Sequence, residues 1–322
     1  MNVLITGGAG YIGSHVNKYL SRKGHNTIVV DDLSFGKEEA VRYGKFFNMD
    51  FSDPRVELIF KTYNIDAVVH LAALADVGHS VIHPDVYYLT NVVKTLKLLD
   101  MMVHANIKHI VFSSTAAIFG EPVYTPIDEK HPQKPINPYG NSKLVCETIL
   151  EDYSAAYGIY YTSLRYFNAS GCDPEGEIGE AFEPPHHIIP IIMRKILSNK
   201  CFHVFGSDYN TKDGTCIRDY VHVWDIADLH DRCLGYIMEN GVNLKFNVGN
   251  SSGFSNLEII NEIEKVTGQR IEYGFQGRRK GDPAVLIASN KKVCEFFNWK
   301  PGFSDISTII TSSWNWEQNR KY

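Results

Sequence analysis

The sequence predicts an α/β protein in which a doubly wound parallel sheet is followed by a smaller mixed α/β C-terminal domain. Three observations lead there. In the first 170 residues, short apolar runs alternate with stretches of helical periodicity, the pattern of strands buried on both faces beneath helices. After Asn168 that regularity stops at "GCDPEGEIGEAFEPPHH", whose glycines, prolines and acidic residues read as a loop leaving the sheet. At 322 residues the chain is also long for one compact core. The boundaries read this way are 1–168 and 169–322, with a returning contribution to the first domain from about 213–238.

The elements follow in order. "NVLITG" is a strand run closed by glycine, and "YIGSHVNKYLSRKG" a helix with a C-terminal glycine. "NTIVVDD" and "KFFNMD" are strands, "PRVELIFKTYN" a helix, and "IDAVVHLAAL" the next buried strand. A long helical span near 84–105 leads to the strand "HIVFSST", and a helix over 138–157 leads to "YTSLRYFNAS". Beyond the loop, short strands and helices mix: "FHVFG", "RDYVHVWDIADLHDRCLGYIM", "KFNVGN" and "NLEIINEIEKVTG".

Composition excludes several function classes. The net charge is −5, with no basic run, so binding of nucleic acid through phosphate neutralisation has no support. "MNVLITGG" enters a strand without a charged leader, and no apolar stretch reaches bilayer length, so a soluble, cytoplasmic protein is expected, with no membrane partner. The six cysteines are never spaced C-x-x-C, which fits free thiols better than disulfides or zinc.

"TGGAGYIGSH" places Gly7, Gly8, Gly10 and Gly13 between the first strand and the first helix. Glycines there permit a tight turn and close backbone approach, and the helix N-terminus faces a pyrophosphate. The second strand ends at Asp31, 18 residues beyond Gly13, where a carboxylate accepts from an adenosine ribose and repels a 2′-phosphate. Asp32 adds to that repulsion. The first domain thus reads as Rossmann-like, with NAD favoured over NADP.

Tyr-x-x-x-Lys occurs twice. Tyr19 and Lys23 end the first helix beside Arg22, where a basic residue favours the helix dipole, and their reading is structural. Tyr139 and Lys143 open a helix in "NPYGNSK" and follow Ser113, Ser114 and Thr115 at the carboxyl end of a parallel strand, where such sheets bind ligands. A lysine cation on the same face, with an oxidised nicotinamide, would favour the Tyr139 phenolate, and Thr115 would hydrogen-bond the reacting alcohol.

With "NPYGNSK", "LRYFNASG", "VFGSDYNTKDGTCIRDYVHVWDIAD", "FNVGN" and "RRKGDPA" added to the glycine loop, nearly the whole chain resembles the extended short-chain dehydrogenase/reductases. Within that family it is similar to the UDP-glucose 4-epimerases. The resemblance implies tightly held NAD, with Tyr11 and Ile12 at the glycine loop and Asp31, Asp32, Leu33, Ser34, Phe35 and Gly36 around the adenosine ribose. Asp50 and Phe51 would flank the adenine. Leu71, Ala72, Ala73, Leu74 and Ala75, with Asn91, would line the pyrophosphate and nicotinamide side. Thr115, Tyr139, Lys143 and Phe167 would surround the nicotinamide and the sugar.

The nucleotide-sugar site implied by the resemblance uses Asn168, His187 and Ile188 of "PHHII", Phe205 against the uracil, and Arg218, Arg279, Asp282 and Leu286. Guanidinium forks suit a diphosphate. The chain departs from the better-known bacterial pattern at Ala75 (often lysine), Phe119 (often tyrosine), the pair His186–His187 (an asparagine pair) and Leu286. Adjacent histidines with no third ligand do not make a metal site, and no metal is expected.

The implied chemistry is 4-epimerisation. Tyr139 removes the 4-hydroxyl proton as C4 passes hydride to NAD, the 4-keto sugar turns over, and hydride and proton return to its other face. Epimerisation of a UDP-N-acetylhexosamine, UDP-pentose or UDP-uronate is the alternative. A sugar-nucleotide dehydratase would need an acid or base after "ST", where Ala116 and Ala117 stand. A noncatalytic NAD sensor would be expected to have lost Tyr139, Lys143 or Thr115. A homodimer is expected, paired through the helices near 84–105 and 138–157.

Overall fold

The computed structural model describes residues 1–279 and 282–322. The elements of the first half are β1 (Asn2–Thr6), α1 (Tyr11–Arg22), β2 (Asn26–Asp31), β3 (Lys45–Asn48), α2 (Val56–Thr62), β4 (Ala67–His70), α3 (Val77–Ile82), α4 (Pro84–Tyr87), α5 (Lys94–His104), β5 (His109–Thr115), α6 (Pro138–Tyr157) and β6 (Tyr160–Tyr166). There follow β7 (Asn168–Ser170), α7 (Ile188–Leu197), β8 (Phe202–Phe205), β9 (Ile217–His222), α8 (Val223–Asn240), β10 (Leu244–Val248), β11 (Gly253–Ser255), α9 (Asn256–Thr267), β12 (Tyr273–Gln276), β13 (Val285–Leu286), α10 (Lys291–Phe297) and α11 (Ile306–Gln318).

Seven strands form one parallel sheet in the order β3-β2-β1-β4-β5-β6-β10. Their side chains alternate between two cores, as the pleat requires. Val3, Ile5, Val29, Val69, Val111 and Leu164 share one core with α1 and α8. Leu4, Ile28, Val30, Val68, Ile110 and Phe112 share the other with α2, α5 and α6. Both faces are covered, which explains the absence of polar alternation in these runs. Of the segment 213–238, α8 packs on this sheet while β9 joins the second one, and β10 pairs with β6 so that Phe246 faces Leu164.

The second body is built on β9, which pairs with β7, β11 and β13, and on the parallel pair β8–β12. Its core of Ile189, Ile192, Val204, Ile259, Ile263, Ile309 and Trp314 lies among α7, α9 and α11. Among the described residues, no helix is long and apolar enough to cross a membrane, and all six cysteines are unpaired.

The helix expected over 138–157 is Pro138–Tyr157, opened by Asn137, whose Oδ1 accepts from Gly140 N at 2.8 Å, and closed by left-handed Gly158. The span expected near 84–105 differs in its middle. There a π-helical turn over Tyr88–Val93 separates α4 from α5. It holds Asn91, whose side chain is committed to backbone outside the helix (below), a local widening of the kind that marks functional sites.

The strongest tie between α6 and the sheet is buried. Glu147 Oε2 accepts from Arg165 Nη2 at 2.7 Å and Oε1 from Arg165 Nε at 3.0 Å, with both side chains 1% exposed. The Ser114 hydroxyl donates to Glu147 Oε1 at 2.5 Å. Burial pushes the carboxyl up, but Arg165 and Ser114 more than reverse this and hold it below the usual range. Breaking such a pair strands a charge. Arg165→Met is expected to lose about 3–5 kcal/mol in urea unfolding, and Arg165→Met with Glu147→Met to recover most of it. A loss below about 1 kcal/mol in the single variant would show that the pair does not hold the helix.

Candidate active site

The glycine turn is shaped by close approaches. Gly7 adopts φ +74°, and a Cβ there would meet Ala72 N at 2.6 Å. A Cβ on Gly13 would meet Gly7 O at 2.0 Å. Gly10 precedes α1 with no side-chain cap, and the first turn holds no acidic residue. Free amides of a helix N-terminus beside a side-chain-free surface fit a pyrophosphate.

Asp31 ends β2 and organises the loop around it. Oδ2 accepts from Ala9 N at 3.0 Å and Oδ1 from Leu33 N at 2.9 Å. Burial pushes its carboxyl up, with Asp32 adding to the effect and the two amides opposing it. Each oxygen keeps a lone pair for a ribose hydroxyl. Asp32 Oδ1 accepts from Ser34 N at 3.0 Å, Phe35 is 57% exposed, and a Cβ on Gly36 would meet Ala9 Cβ at 2.7 Å. Asp50 pairs with Lys94 at 2.5 Å, while Phe51 is buried against the His70 ring, 5.0 Å between centroids. Ile12 packs against the core beneath the turn. This cradle fits a dinucleotide.

The Leu71–Ala75 segment leaves β4 next to it, with Leu71 N donating to Thr6 O at 3.1 Å. Asn91 was expected to face the cofactor, but its amide serves the protein. Oδ1 accepts from Leu74 N at 2.9 Å, and Nδ2 donates to Leu74 O at 3.0 Å and to Ser142 Oγ at 2.9 Å. Asn91 therefore fixes Leu74 relative to α6.

Tyr139 is the second residue of α6, and Thr115 the last of β5. The helix lies close to the strand end, since a Cβ on Gly140 would meet Ala117 O at 2.5 Å. Lys143 Nζ donates to Ser113 O at 2.8 Å and stands 4.8 Å from the centre of the Phe112 ring. Burial lowers Lys143 to about 8. Burial also pushes the Tyr139 phenol up, and a hydrogen bond with the Thr115 hydroxyl works against this. One of the Lys143 ammonium's three N–H donors is engaged by the Ser113 carbonyl. Tyr87 packs edge-on against Tyr139 at 6.4 Å and ties its own hydroxyl to Asp76 O at 2.6 Å. In the other copy, Tyr19 donates to Asp228 Oδ1 at 2.7 Å and carries Lys23 over its ring, a packing role.

A cleft of about 900 Å³ opens in front of Tyr139 and Thr115. Tyr11, Ala75, Phe167 and Asn168 line it on one side, and His187, Ile188, Phe205, Arg218, Arg279, Asp282 and Leu286 continue it. Arg218 is paired with Asp282, and the Arg279 guanidinium lies 4.0 Å from the centre of the Phe205 ring. Asn168 Nδ2 donates to Asp219 O at 2.8 Å. Leu286 sits beside Arg218 in the β13–β9 pairing and packs with Phe167, Ile118 and Phe119. Lys280 and Gly281, between Arg279 and Asp282, lie outside the described residues.

Two groups escaped the sequence reading. Glu180, 4% exposed, lines the cleft behind His187. Glu147 follows Lys143 by four residues, a spacing that puts it on the same helix face and offered a signal. Among the described residues, one cluster of acidic groups could hold a cation, Asp173, Glu175 and Glu177. Lys18 Nζ already stands among them at 2.6, 3.1 and 2.9 Å.

Comparison with known proteins gives a consistent picture. Residues 3–249 match the NAD dependent epimerase/dehydratase family. The chain is 44% identical over 324 residues to the UDP-glucose 4-epimerase of Halalkalibacterium halodurans, covering 100% of this chain and 97% of that protein. It superposes with a TM-score of 0.95 at 43% identity on a Brucella ovis UDP-glucose 4-epimerase in complex with NAD, covering 97% of each chain. A Bifidobacterium longum UDP-glucose 4-epimerase in complex with NAD+ and UDP matches with a TM-score of 0.92 at 36% identity, covering 99% of each.

The Asp31 geometry generates a test. Wild-type protein, denatured after purification, is expected to release NAD and no NADP. Asp31→Ala should hold less NAD, because the Ala9 and Leu33 amides lose their acceptor, and should accept NADP. Release of NADP by the wild type would overturn the assignment.

Proposed function

The chain belongs to the NAD dependent epimerase/dehydratase family, and from that premise we propose how its residues divide the work of NAD-dependent 4-epimerisation of a UDP-sugar. One observation carries the reading. Tyr139 and Thr115, at the carboxyl ends of parallel strands, share a single cleft with two arginines and an aromatic ring suited to a nucleoside diphosphate. The glycine turn, Asp31 and the Leu71–Ala75 segment would hold NAD. When bound, NAD supplies the hydride acceptor and donor for C4.

Tyr139 takes the proton from O4 as the alcohol becomes a ketone, and returns it from the same oxygen when the ketone is reduced on its other face. Burial raises the phenol, so its deprotonation depends on positive charge brought close on binding. Lys143, lowered to about 8 by burial, sits one helical turn from Tyr139 and keeps N–H donors for the nicotinamide ribose beyond the one given to Ser113 O. Thr115 orients O4. Arg218, Arg279 and Phe205 grip the nucleotide. Around the sugar the wall is Ala116, Ala117, Phe167 and Leu286, which grip weakly and leave the 4-keto sugar room to turn.

We assign residues 1–168, with the returning α8 and β10, to NAD and the remainder of 169–322 to the nucleotide sugar. UDP-glucose and UDP-galactose are the preferred pair. Leu286 offers an N-acetyl group no hydrogen bond, and leaving that amide unpaired costs about 1–3 kcal/mol. A homodimer is supported by Leu89, Val93 and Val145, apolar residues that stay exposed on adjoining turns of α4–α5 and α6. Unpaired cysteines support a reducing compartment such as the cytoplasm.

The test is turnover of UDP-galactose to UDP-glucose without added cofactor, with UDP-N-acetylgalactosamine assayed beside it. Tyr139→Phe should keep NAD and UDP binding and lose turnover by at least about a hundredfold, the usual contribution of a positioned proton-transfer group. Near-normal turnover in that variant would remove Tyr139 from its role. A faster reaction with the N-acetyl sugar would move the preference.

A further inference from the structure

His187 is the residue that opens α7, in extended backbone (φ −92°, ψ 147°), and no side chain caps the helix's free amides. Its ring lines the cleft that also holds Arg218, Arg279 and Phe205. Behind it Glu180 Oε2 accepts from His187 Nδ1 at 2.8 Å, while Glu180 Oε1 is buried without a partner. A buried carboxylate needs a counter-charge. Arg194, paired with Glu317 at 3.0 Å and Glu183 at 2.9 Å, and the His186 amide also act on Glu180, while the imidazole is its side-chain hydrogen-bond partner.

The other neighbours do not compete for it. The Tyr11 ring lies 5.9 Å from His187, and its hydroxyl is spent on Gly171 O. Phe182 packs at 6.4 Å, and His186 faces Asp76 at 3.8 Å. Cys172, near Tyr11 and Glu180, is a neutral thiol, pushed up by burial. Burial works to lower His187, but the charge and hydrogen bond of Glu180 outweigh it, and the imidazole is raised above its ordinary value. Burial pushes Glu180 up, and His187 brings it below the usual range. Both partners favour the ion pair.

We propose that Glu180 is a positioning residue that holds His187 as an imidazolium against the diphosphate of the bound nucleotide sugar. This deepens the UDP-sugar reading above and rests on it. The diphosphate is the fitting target because His187 lines the same cleft as Arg218 and Arg279, whose guanidinium forks suit phosphate oxygens. With Nδ1 spent on Glu180, Nε2 and the first amides of α7 are the donors left for phosphate oxygens. Neutral sugar hydroxyls would gain little from a cation. A histidine at this place makes nucleotide affinity depend on pH in this chain.

The sign follows from the raised imidazole value: the cation is present below it and lost as pH rises through it. The test is calorimetric binding of UDP to the NAD-loaded protein between about pH 6.5 and 9, for wild type, Glu180→Gln and His187→Asn. Wild-type affinity should fall about tenfold across that range, the worth of one charge-assisted contact. Glu180→Gln should shift the fall to lower pH, because the imidazole then loses the charge that raises it. His187→Asn should bind weakly and lack the fall. KM for UDP-galactose should follow the same three patterns more closely than kcat, which a role confined to folding would not produce. UDP's own titration is common to all three proteins, so only differences between them count. If Glu180→Gln does not fold, His187→Asn decides alone. An equal pH dependence in wild type and His187→Asn would overturn the proposal while leaving the UDP-sugar reading intact. Failure of the wild type to bind UDP at any pH would sink both.

Discussion

The position of α6 against the ends of β5 and β6 is the constraint on which the site depends. That helix carries Tyr139 and Lys143, and its partner Thr115 is on a different element. The buried Glu147–Arg165 pair, with Ser114 donating to the same carboxylate, joins one helix to two strands one residue away from Thr115. A buried ion pair is weak evidence for net stability, since hydrophobic residues would often do as well. Its directional hydrogen bonds do something an apolar contact cannot: they fix the rotation and axial position of α6. Asn91 adds a second tie, from the π-helical turn to both Ser142 on α6 and the Leu74 backbone.

The cleft is polar at one end and bland at the other, and this asymmetry matches the reaction. At the end proposed to hold the nucleotide, Arg218 pairs with Asp282, Arg279 lies over Phe205 and His187 pairs with Glu180. Pre-paired groups lose less freedom on binding. At the sugar end, Ala116, Ala117 and Leu286 offer shape without directional bonds. A ring anchored through its diphosphate and otherwise loosely held can present either face to Tyr139.

Much of this was legible in the sequence because it is local. The glycine turn, Asp31 at the end of β2 and the Asn137-capped helix each involve residues within a few positions of one another, where steric and capping rules apply directly. The parallel sheet was legible because burial on both faces leaves no polar alternation. What was not legible is long-range. Nothing in "YYTSLRYF" says that Arg165 will meet Glu147 rather than solvent, and β10 is an ordinary short run until its pairing with β6 is seen. The π-helical turn hides inside a normal helical pattern. Glu180 lay in a loop read as merely acidic, and its importance came only from being buried with His187.

In the proposed mechanism one cleft carries out both half-reactions on the same C4 atom, and Tyr139 moves only the O4 proton. The direct measurement is to convert UDP-galactose deuterated at C4 in ordinary water and to analyse C4 of the UDP-glucose formed. The account predicts that the deuterium is fully retained, with none replaced from solvent. Loss of the label to solvent in step with turnover would show that the C4 hydrogen leaves as an exchangeable proton, and would contradict the mechanism.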